Sequence, residues 1–268
     1  MIRLLAVDMD GTCLNSKNKI TPKTLEALQA AAASGIIVVP TTGRALTCLP
    51  HQLLAQQGLL YRYVISSNGA RVTDCADSIT IYQAEISLAD ACGLLSALQG
   101  QRLGWTAHVN QEYLVQGRLL HRVGRFIYGK DAQTSRRVSQ LSETLQQMGQ
   151  DVEELQLFFL SSSARPAVEA TLSRYPQLAA AYGSRYVEIY SQNASKGTAL
   201  KALAAHLNIA QAEIACIGDG ENDLSMFSVS GARFAMGNGE ASLKEMADIV
   251  LPTQDQDGVA EAIFRHVL

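Results

Sequence analysis

The sequence predicts an α/β fold, with a doubly wound parallel-sheet core interrupted by an inserted α+β domain. Three observations carry that expectation. Short apolar runs alternate with helix-like segments towards both ends of the 268-residue chain. The main runs stop at polar clusters that contain glycine. Between residues 84 and 188 the alternation gives way to a mixed pattern, so the expected parts are 1–83 (first part of the core), 84–188 (inserted domain) and 189–268 (second part of the core). A chain of this length has room for two hydrophobic cores.

Residues 2–7, Ile-Arg-Leu-Leu-Ala-Val, read as a buried strand because a short apolar run stops at polar residues and a glycine. Thr21-Pro22 opens a helix, with a hydroxyl cap and a proline in its first turn, and Gly35 closes it. Ile36–Pro40 is a second strand, followed by Thr41-Thr42-Gly43-Arg44 and by a helix over Leu49–Gln57 interrupted near Pro50. Tyr63–Ser66 is a third strand, ending in Ser67-Asn68-Gly69-Ala70. Arg71–Thr73 and Thr80–Gln83 flank Asp74–Asp77 as the arms of a hairpin. From Glu85 to Glu188 the order reads helix, strands, helix, strand, helix, strand. The alternation resumes at Ser195-Lys196-Gly197, with a helix to Leu207, a strand over Glu213–Ile217 and the run Gly218–Asp223. A further helix and short strands at Phe234-Ala235 and Ile249-Val250 complete the core.

The balance of 22 Lys+Arg against 25 Asp+Glu, a net charge of −3, argues against a nucleic-acid partner. No stretch approaches the roughly 18 apolar residues of a membrane span, so no membrane partner is expected. The five cysteines are widely spaced and form no CxxC pair, which suits reduced thiols in the cytoplasm. Residues 84–188 carry ten charges of each sign, so the excess acidity sits in the core, where Asp8, Asp10, Asp219 and Asp223 account for it.

Four clusters carry the chemistry. Asp8 and Asp10 end the first strand and share a face if it stays extended, at the edge where parallel sheets place their sites; the same pair also suits a plain Asx turn with Gly11. Thr42 and Gly43 offer a hydroxyl and backbone N–H groups to an anion, or simply cap a helix. Lys196 enters at a helix start, where its charge opposes the dipole unless an anion lies nearby; a solvated lysine is the ordinary alternative. Gly218-Asp219-Gly220-Glu221-Asn222-Asp223 packs three carboxylates into five residues, of which an acidic helix terminus explains one better than three.

Brought to one sheet edge, Asp8, Asp10, Asp219 and Asp223 cannot all stay ionised without a cation, and an all-oxygen set favours Mg²⁺. Lys196, the Thr42 hydroxyl, the Gly43 N–H and the Asn222 amide then supply donors for a phosphate. This is equipment for phosphoryl transfer through a covalent nucleophile.

Asp8-Met9-Asp10-Gly11-Thr12, Thr42-Gly43-Arg44, Lys196 and Gly218-Asp219-(x)3-Asp223 resemble, in order, the four motifs of the haloacid dehalogenase superfamily of phosphotransferases. The Ser-Asn-Gly-Ala run, the Ser-Lys-Gly pairing, Gly-Asp-Gly-Glu-Asn-Asp, Ala-Met-Gly-Asn and the large insertion look like its Cof-type sugar-phosphatase branch. The resemblance implies a Rossmann-like core with an α+β cap that selects the leaving group. It also implies that Asp8 attacks phosphorus while Asp10 protonates the leaving alcohol and later activates water. The metal falls to the Asp8 side chain, the Asp10 carbonyl and Asp219, with Asp223 acting through water or orienting the others. Phosphate contacts fall on the Met9 backbone, Thr42, Gly43, Lys196 and Asn222, with Arg44 in support behind them.

The expected protein is thus a Mg²⁺-dependent phosphatase of small phosphorylated metabolites, sugar phosphates first and pyridoxal phosphate or nucleotide monophosphates next, working as a monomer or weak homo-oligomer. A phosphomutase with the same nucleophile and a non-catalytic metabolite-binding module are the alternatives. In the insertion, Arg118, Arg122, Arg125, Lys130, Arg136 and Arg137 read mainly as a solvated face. Trp105, His108, Tyr113 and Tyr128 read as core or interface residues. Cys13, where the family commonly has leucine, reads as packing.

Overall fold

Leu4–Asp8 forms the first strand, β1, and all five of its residues are buried, as expected of a parallel strand covered on both faces. The computed structural model describes the backbone of residues 1–268 and every side chain except those of Ile127 and Tyr128. Numbered along the chain, the next strands are β2 (Ile37–Thr41), β3 (Tyr63–Ser66), β4 (Arg71–Asp74), β5 (Ile79–Gln83), β6 (Leu103–Val109) and β7 (Glu112–Gln116). They are followed by β8 (Arg136–Val138), β9 (Glu154–Phe159), β10 (Leu178–Tyr182), β11 (Tyr186–Ser191), β12 (Ile214–Gly218), β13 (Ala232–Ala235) and β14 (Ile249–Val250).

The contacts divide the chain into two units. The first comprises Met1–Gly43, Gln52–Gln83 and Ser195–Leu268; the second comprises Arg44–His51 and Ala84–Ala194. The expected junction at residues 188 and 189 falls inside β11, whose pairing with β10 runs to Ser191. In addition, Arg44–His51 packs with the second unit, which no local sequence signal indicates.

The first unit is built on an eight-stranded sheet of order β14-β13-β12-β1-β2-β3-β4-β5. Six neighbouring strands pair in parallel, and the hairpin β4–β5 extends the sheet through two antiparallel pairings, so that β4 alone runs against the others. The strand order reverses beside β1, which pairs with β2 on one side and with β12 on the other. Register puts Asp8 opposite Thr41 and, one step beyond the Val7–Ile217 pair, beside Gly218. Such a reversal opens a crevice at the carboxyl ends of the strands. Leu4, Ala6, Val39 and Ile65 join Leu200, Leu203, Met226 and Leu243 in one buried cluster, which covers one sheet face with helices.

The helix over Pro22–Ala33 begins as expected, with the Thr21 hydroxyl accepting from the N–H of Thr24, a cap worth about 1 kcal/mol. The helix expected over Leu49–Gln57 does not form as such. A single 3₁₀ turn, Leu46–Cys48, and a short helix, His51–Leu54, replace it. Pro50 holds Leu49 extended, with ψ near 151°, which stops a continuous helix.

The second unit is a six-stranded sheet of order β10-β11-β9-β6-β7-β8, antiparallel except for the pair β7–β8. Ile86, Leu94, Leu103, Ala107, Leu114, Leu145, Leu155, Leu157, Val187 and Ile189 form its core. It contains one more helix than expected, Ala164–Leu172, and closes with the hairpin β10–β11. The Leu-Ala-Ala-Ala-Tyr composition of β10 suits a helix; pairing with β11 overrides that weak preference. No helix among the described residues is long and apolar enough to cross a membrane.

Candidate active site

The carboxyl ends of β1 and β12 and the start of the helix Lys196–His206 meet around one lysine. Ser195 caps that helix with a reciprocal capping box to Thr198, and Lys196 is its first residue. The Lys196 side chain is 1% exposed, and its Nζ donates to Asp8 Oδ1 and to Asp223 Oδ1, each at 2.6 Å. The anion that a lysine at a helix start requires is therefore a pair of carboxylates from elsewhere in the chain. Burial alone would lower the pKa of Lys196, but Asp223 and Asp8 outweigh it and hold the ammonium above its usual range.

Asp8, Asp219 and Asp223 each place a carboxylate oxygen within 4.8 Å of the others. Asp219 Oδ1 accepts from the Thr12 hydroxyl at 2.8 Å. Asp223 is fully occupied by donors, since Oδ2 takes the N–H groups of Asp219 and Gly220 while Oδ1 takes Lys196. It thus ties the Lys196 ammonium to the loop that begins at Asp219. Asp8 differs: Oδ1 faces Lys196, while Oδ2 is buried and accepts no hydrogen bond. Burial raises the Asp8 pKa well above the carboxylate range; Lys196 pulls it down, and Asp223 and Asp219 push it up again. Asp219 is also raised, first by burial.

The donor set suits a hard divalent cation. Carboxylate oxygens of Asp8 and Asp219 lie within 4.8 Å of each other, an all-oxygen set of the kind an ion such as Mg²⁺ would take.

Asp10 lies beyond the strand that Asp8 ends, and it is exposed where Asp8 is buried. The strand ends at Asp8, the Cys13 N–H donates to the Asp8 carbonyl, the Leu14 N–H donates to that of Met9, and the Asp10 side chain is exposed. The alternation of side chains holds only while the backbone stays extended, and here it turns. Gly11 makes the turn, with φ of 87°, and a Cβ there would collide with the Asp219 carboxylate. Three carboxylates gather, then, where the sequence suggested four.

The remaining expected residues are placed as follows. Thr42 is buried; its N–H donates to the Ile65 carbonyl, and its own carbonyl accepts from Asn68. Gly43 lies against the Asn68 amide. No full helix begins after Gly43, so the anion-binding helix terminus expected there is absent. Asn222 is exposed, and its Nδ2 donates to Asn68 Oδ1 at 3.0 Å. Met9 is 1% exposed. Arg44 donates to Asp131 Oδ2 at 3.0 Å and to the Cys48 carbonyl at 3.3 Å, within the second unit. Asp131 Oδ1 also accepts from the His51 N–H and faces His51 Nδ1 at 2.8 Å.

Three residues the sequence did not single out support these groups. They are Thr12 on Asp219, Asn68 on Asn222, and Asn238, whose Nδ2 donates to the Gly11 carbonyl at 2.8 Å. Thr12, Asn68 and Asn238 all lie inside the quoted motif stretches, which was the available signal. Cys13 is buried, and burial raises its thiol pKa further from reactivity. In the second unit, the six basic residues of 118–137 are exposed and Trp105 packs against the core. His108 lies edge-on to Tyr113, with ring centroids 5.1 Å apart; the Tyr128 side chain falls outside the described residues.

The model of the haloacid dehalogenase-like hydrolases matches residues 5–263. Phosphatase YwpJ of Bacillus subtilis (strain 168) is 31% identical over 289 residues, covering 100% of each chain. From the same organism, 5-amino-6-(5-phospho-D-ribitylamino)uracil phosphatase YcsE is 27% identical, over 100% of this chain and 96% of its own. A solved haloacid dehalogenase-like hydrolase from B. subtilis superposes with a TM-score of 0.84 at 28% identity, over 100% of both chains. With that match across almost its whole length, the chain belongs to the haloacid dehalogenase-like hydrolases and is a phosphatase of that family.

Proposed function

We propose that the chain is a Mg²⁺-dependent phosphomonoesterase that works through an aspartyl-phosphate on Asp8. One observation carries this reading: Asp8 is buried, one oxygen is held by Lys196, and the other accepts no hydrogen bond. That second oxygen is the available nucleophile. It attacks phosphorus as the bond to the leaving oxygen breaks, and Asp10 gives the leaving alcohol its proton. Water then attacks the aspartyl-phosphate and loses a proton to Asp10, releasing inorganic phosphate and restoring the Asp8 carboxylate. The exposure of Asp10 beside the buried Asp8 and Asp223 supports this division of labour.

Asp8, the Asp10 carbonyl and Asp219 would hold the metal, with Asp223 fixing Lys196 and the Asp219 loop. When bound, Mg²⁺ supplies the positive charge that keeps Asp8 ionised and offsets the charge of the phosphate. Lys196 adds a second positive charge, and the Met9 and Gly43 backbone, the Thr42 hydroxyl and the Asn222 amide orient the phosphate oxygens. The substrate class is a phosphate ester of a small polyhydroxylated metabolite, sugar phosphates first. The ribityl phosphate named for the 27%-identical relative is a substrate of this kind.

The test is phosphate release from a panel of sugar phosphates, pyridoxal phosphate and nucleotide monophosphates, before and after chelation and Mg²⁺ re-addition. Release that vanishes with chelator, returns with Mg²⁺ and is fastest for sugar phosphates is expected. Metal-independent release overturns the metal reading, isomer formation without free phosphate overturns hydrolysis, and a preference for pyridoxal phosphate or a nucleotide overturns the substrate class.

A further inference from the structure

The loop after β3 holds three successive residues in the left-handed region: Ser67 at φ 49°, Asn68 at 54° and Gly69 at 90°. Only glycine, and to a lesser degree asparagine, enters that region without notable cost, and such runs persist where the surroundings fix them. The surroundings here are the phosphate donors. The Asn68 N–H donates to the Thr42 carbonyl at 3.1 Å, and its Oδ1 accepts from Asn222 Nδ2 at 3.0 Å. The Asn68 amide also lies 3.0 Å from where a Cβ on Gly43 would stand. At the next residue, a Cβ on Gly69 would collide with the Ser195 carbonyl, so the loop sits directly on the start of the Lys196 helix. Asn68 itself is 6% exposed, whereas Asn222 is exposed.

We infer that Asn68 is a positioning residue, which sets the carboxamide of Asn222 so that an N–H faces the phosphate. This rests on the phosphatase reading above, which places Asn222 among the phosphate donors. An exposed carboxamide rotates freely, and turned over it presents its oxygen to an anion, which is repulsive. Asn68 Oδ1 takes one of the two Nδ2 hydrogens, and the second is left for the phosphate. The left-handed backbone explains the residue type, since asparagine tolerates that conformation and still carries an acceptor.

The test is a double-mutant cycle of Asn68→Gly and Asn222→Ala, read by kcat/KM and by the inhibition constant of inorganic phosphate. Glycine keeps the left-handed backbone while removing the amide. In the wild-type background Asn68→Gly is expected to weaken phosphate inhibition and kcat/KM by about tenfold, the loss of one hydrogen bond's worth of orientation. In the Asn222→Ala background the same change is expected to alter either by less than about twofold. An equal loss in both backgrounds, or a fall in Tm with unchanged phosphate inhibition, overturns the inference while leaving the phosphatase reading intact. If Asn222→Ala alone has no effect, the phosphate role of Asn222 fails and the inference falls with it. Should Asn68→Gly not fold, Asn68→Ala enters the same cycle with the same expected and overturning outcomes.

Discussion

At one edge of the eight-stranded sheet the buried Asp8 and Asp223 share the ammonium of Lys196, and the partly buried Asp219 stands beside them. In the second unit the buried polar groups are spread along the chain and matched locally. Glu153 accepts the Gln111 N–H, His108 packs on Tyr113, and Asp131 holds both Arg44 and His51. The first arrangement leaves negative charge and an orphan oxygen unresolved; the second resolves its polar groups within the fold. Buried charge that does not balance marks a place built to receive something, and buried charge that balances marks a place built to hold.

That contrast breaks first at Asp8. Asp8→Asn is expected to lower turnover of a chromogenic phosphate ester by at least about 10⁴-fold. The same variant removes one of three repelling carboxylates yet keeps an oxygen for Lys196, so the thermal midpoint of the metal-free protein should hold or rise. A clear drop in that midpoint would show that the trio serves stability after all.

Asp131→Asn is expected to do the reverse, costing about 3 kcal/mol of stability, because Arg44 loses its counter-charge at 12% exposure. Denaturant titration measures it. Burial would raise the Asp131 pKa, but the hydrogen bonds from His51 and Arg44 win and hold it below the carboxylate range. A depressed carboxyl contributes stability above its unfolded pKa, near 3.9, and that contribution is lost as pH falls further. The Asp131 effect should therefore be constant from pH 5 to 8.

His108 sharpens the comparison through pH. Burial pushes its pKa down to about 3, so the folded protein refuses a proton that the unfolded chain accepts below about 6.5. Stability therefore falls as pH drops, by about 2 kcal/mol between pH 6.5 and 5. In His108→Gln that slope should flatten when midpoints are compared across the same pH range. Smallest is the exposed pair Arg165–Glu169 at 2.9 Å; Arg165→Ala should cost about 0.5 kcal/mol, and a cost above that of Asp131→Asn would erase the distinction between matched burial and surface pairing.

The same contrast explains what was legible. Asp8, Thr42, Lys196, Asp219 and Asp223 stand in short contiguous motifs because a parallel sheet delivers each strand's end to one edge. A reader needs only strand, turn and helix signals to find them. The place of Asp10 beyond the strand escaped because side-chain alternation says nothing about where a strand stops. Asn68 and Asn238 look like ordinary turn residues, and their service to Asn222 and Gly11 depends on contacts across 154 and 227 positions of sequence. In the second unit the polar neighbours come from different strands: Tyr113 on β7 donates to Gln156 on β9, which donates to Glu188 on β11. An antiparallel face assembles such a chain of contacts from alternate residues, and no contiguous motif records it.

The pairing of β1 with both β2 and β12 also sets an order of events during synthesis. The sheet β6–β11 is encoded without interruption between residues 103 and 191 and needs nothing made later. β1 leaves the ribosome some two hundred residues before β12, yet its register with β12 begins at Leu4–Ile214. Until residue 214 emerges, one apolar edge of β1 has no neighbour. An uncovered apolar strand edge is a template for wrong pairing, and closing it across some two hundred residues is slow. The inserted unit therefore completes its sheet while the eight-stranded one is still waiting for its last central strand, and a nascent chain stalled before residue 214 should be the form of this protein most prone to aggregate.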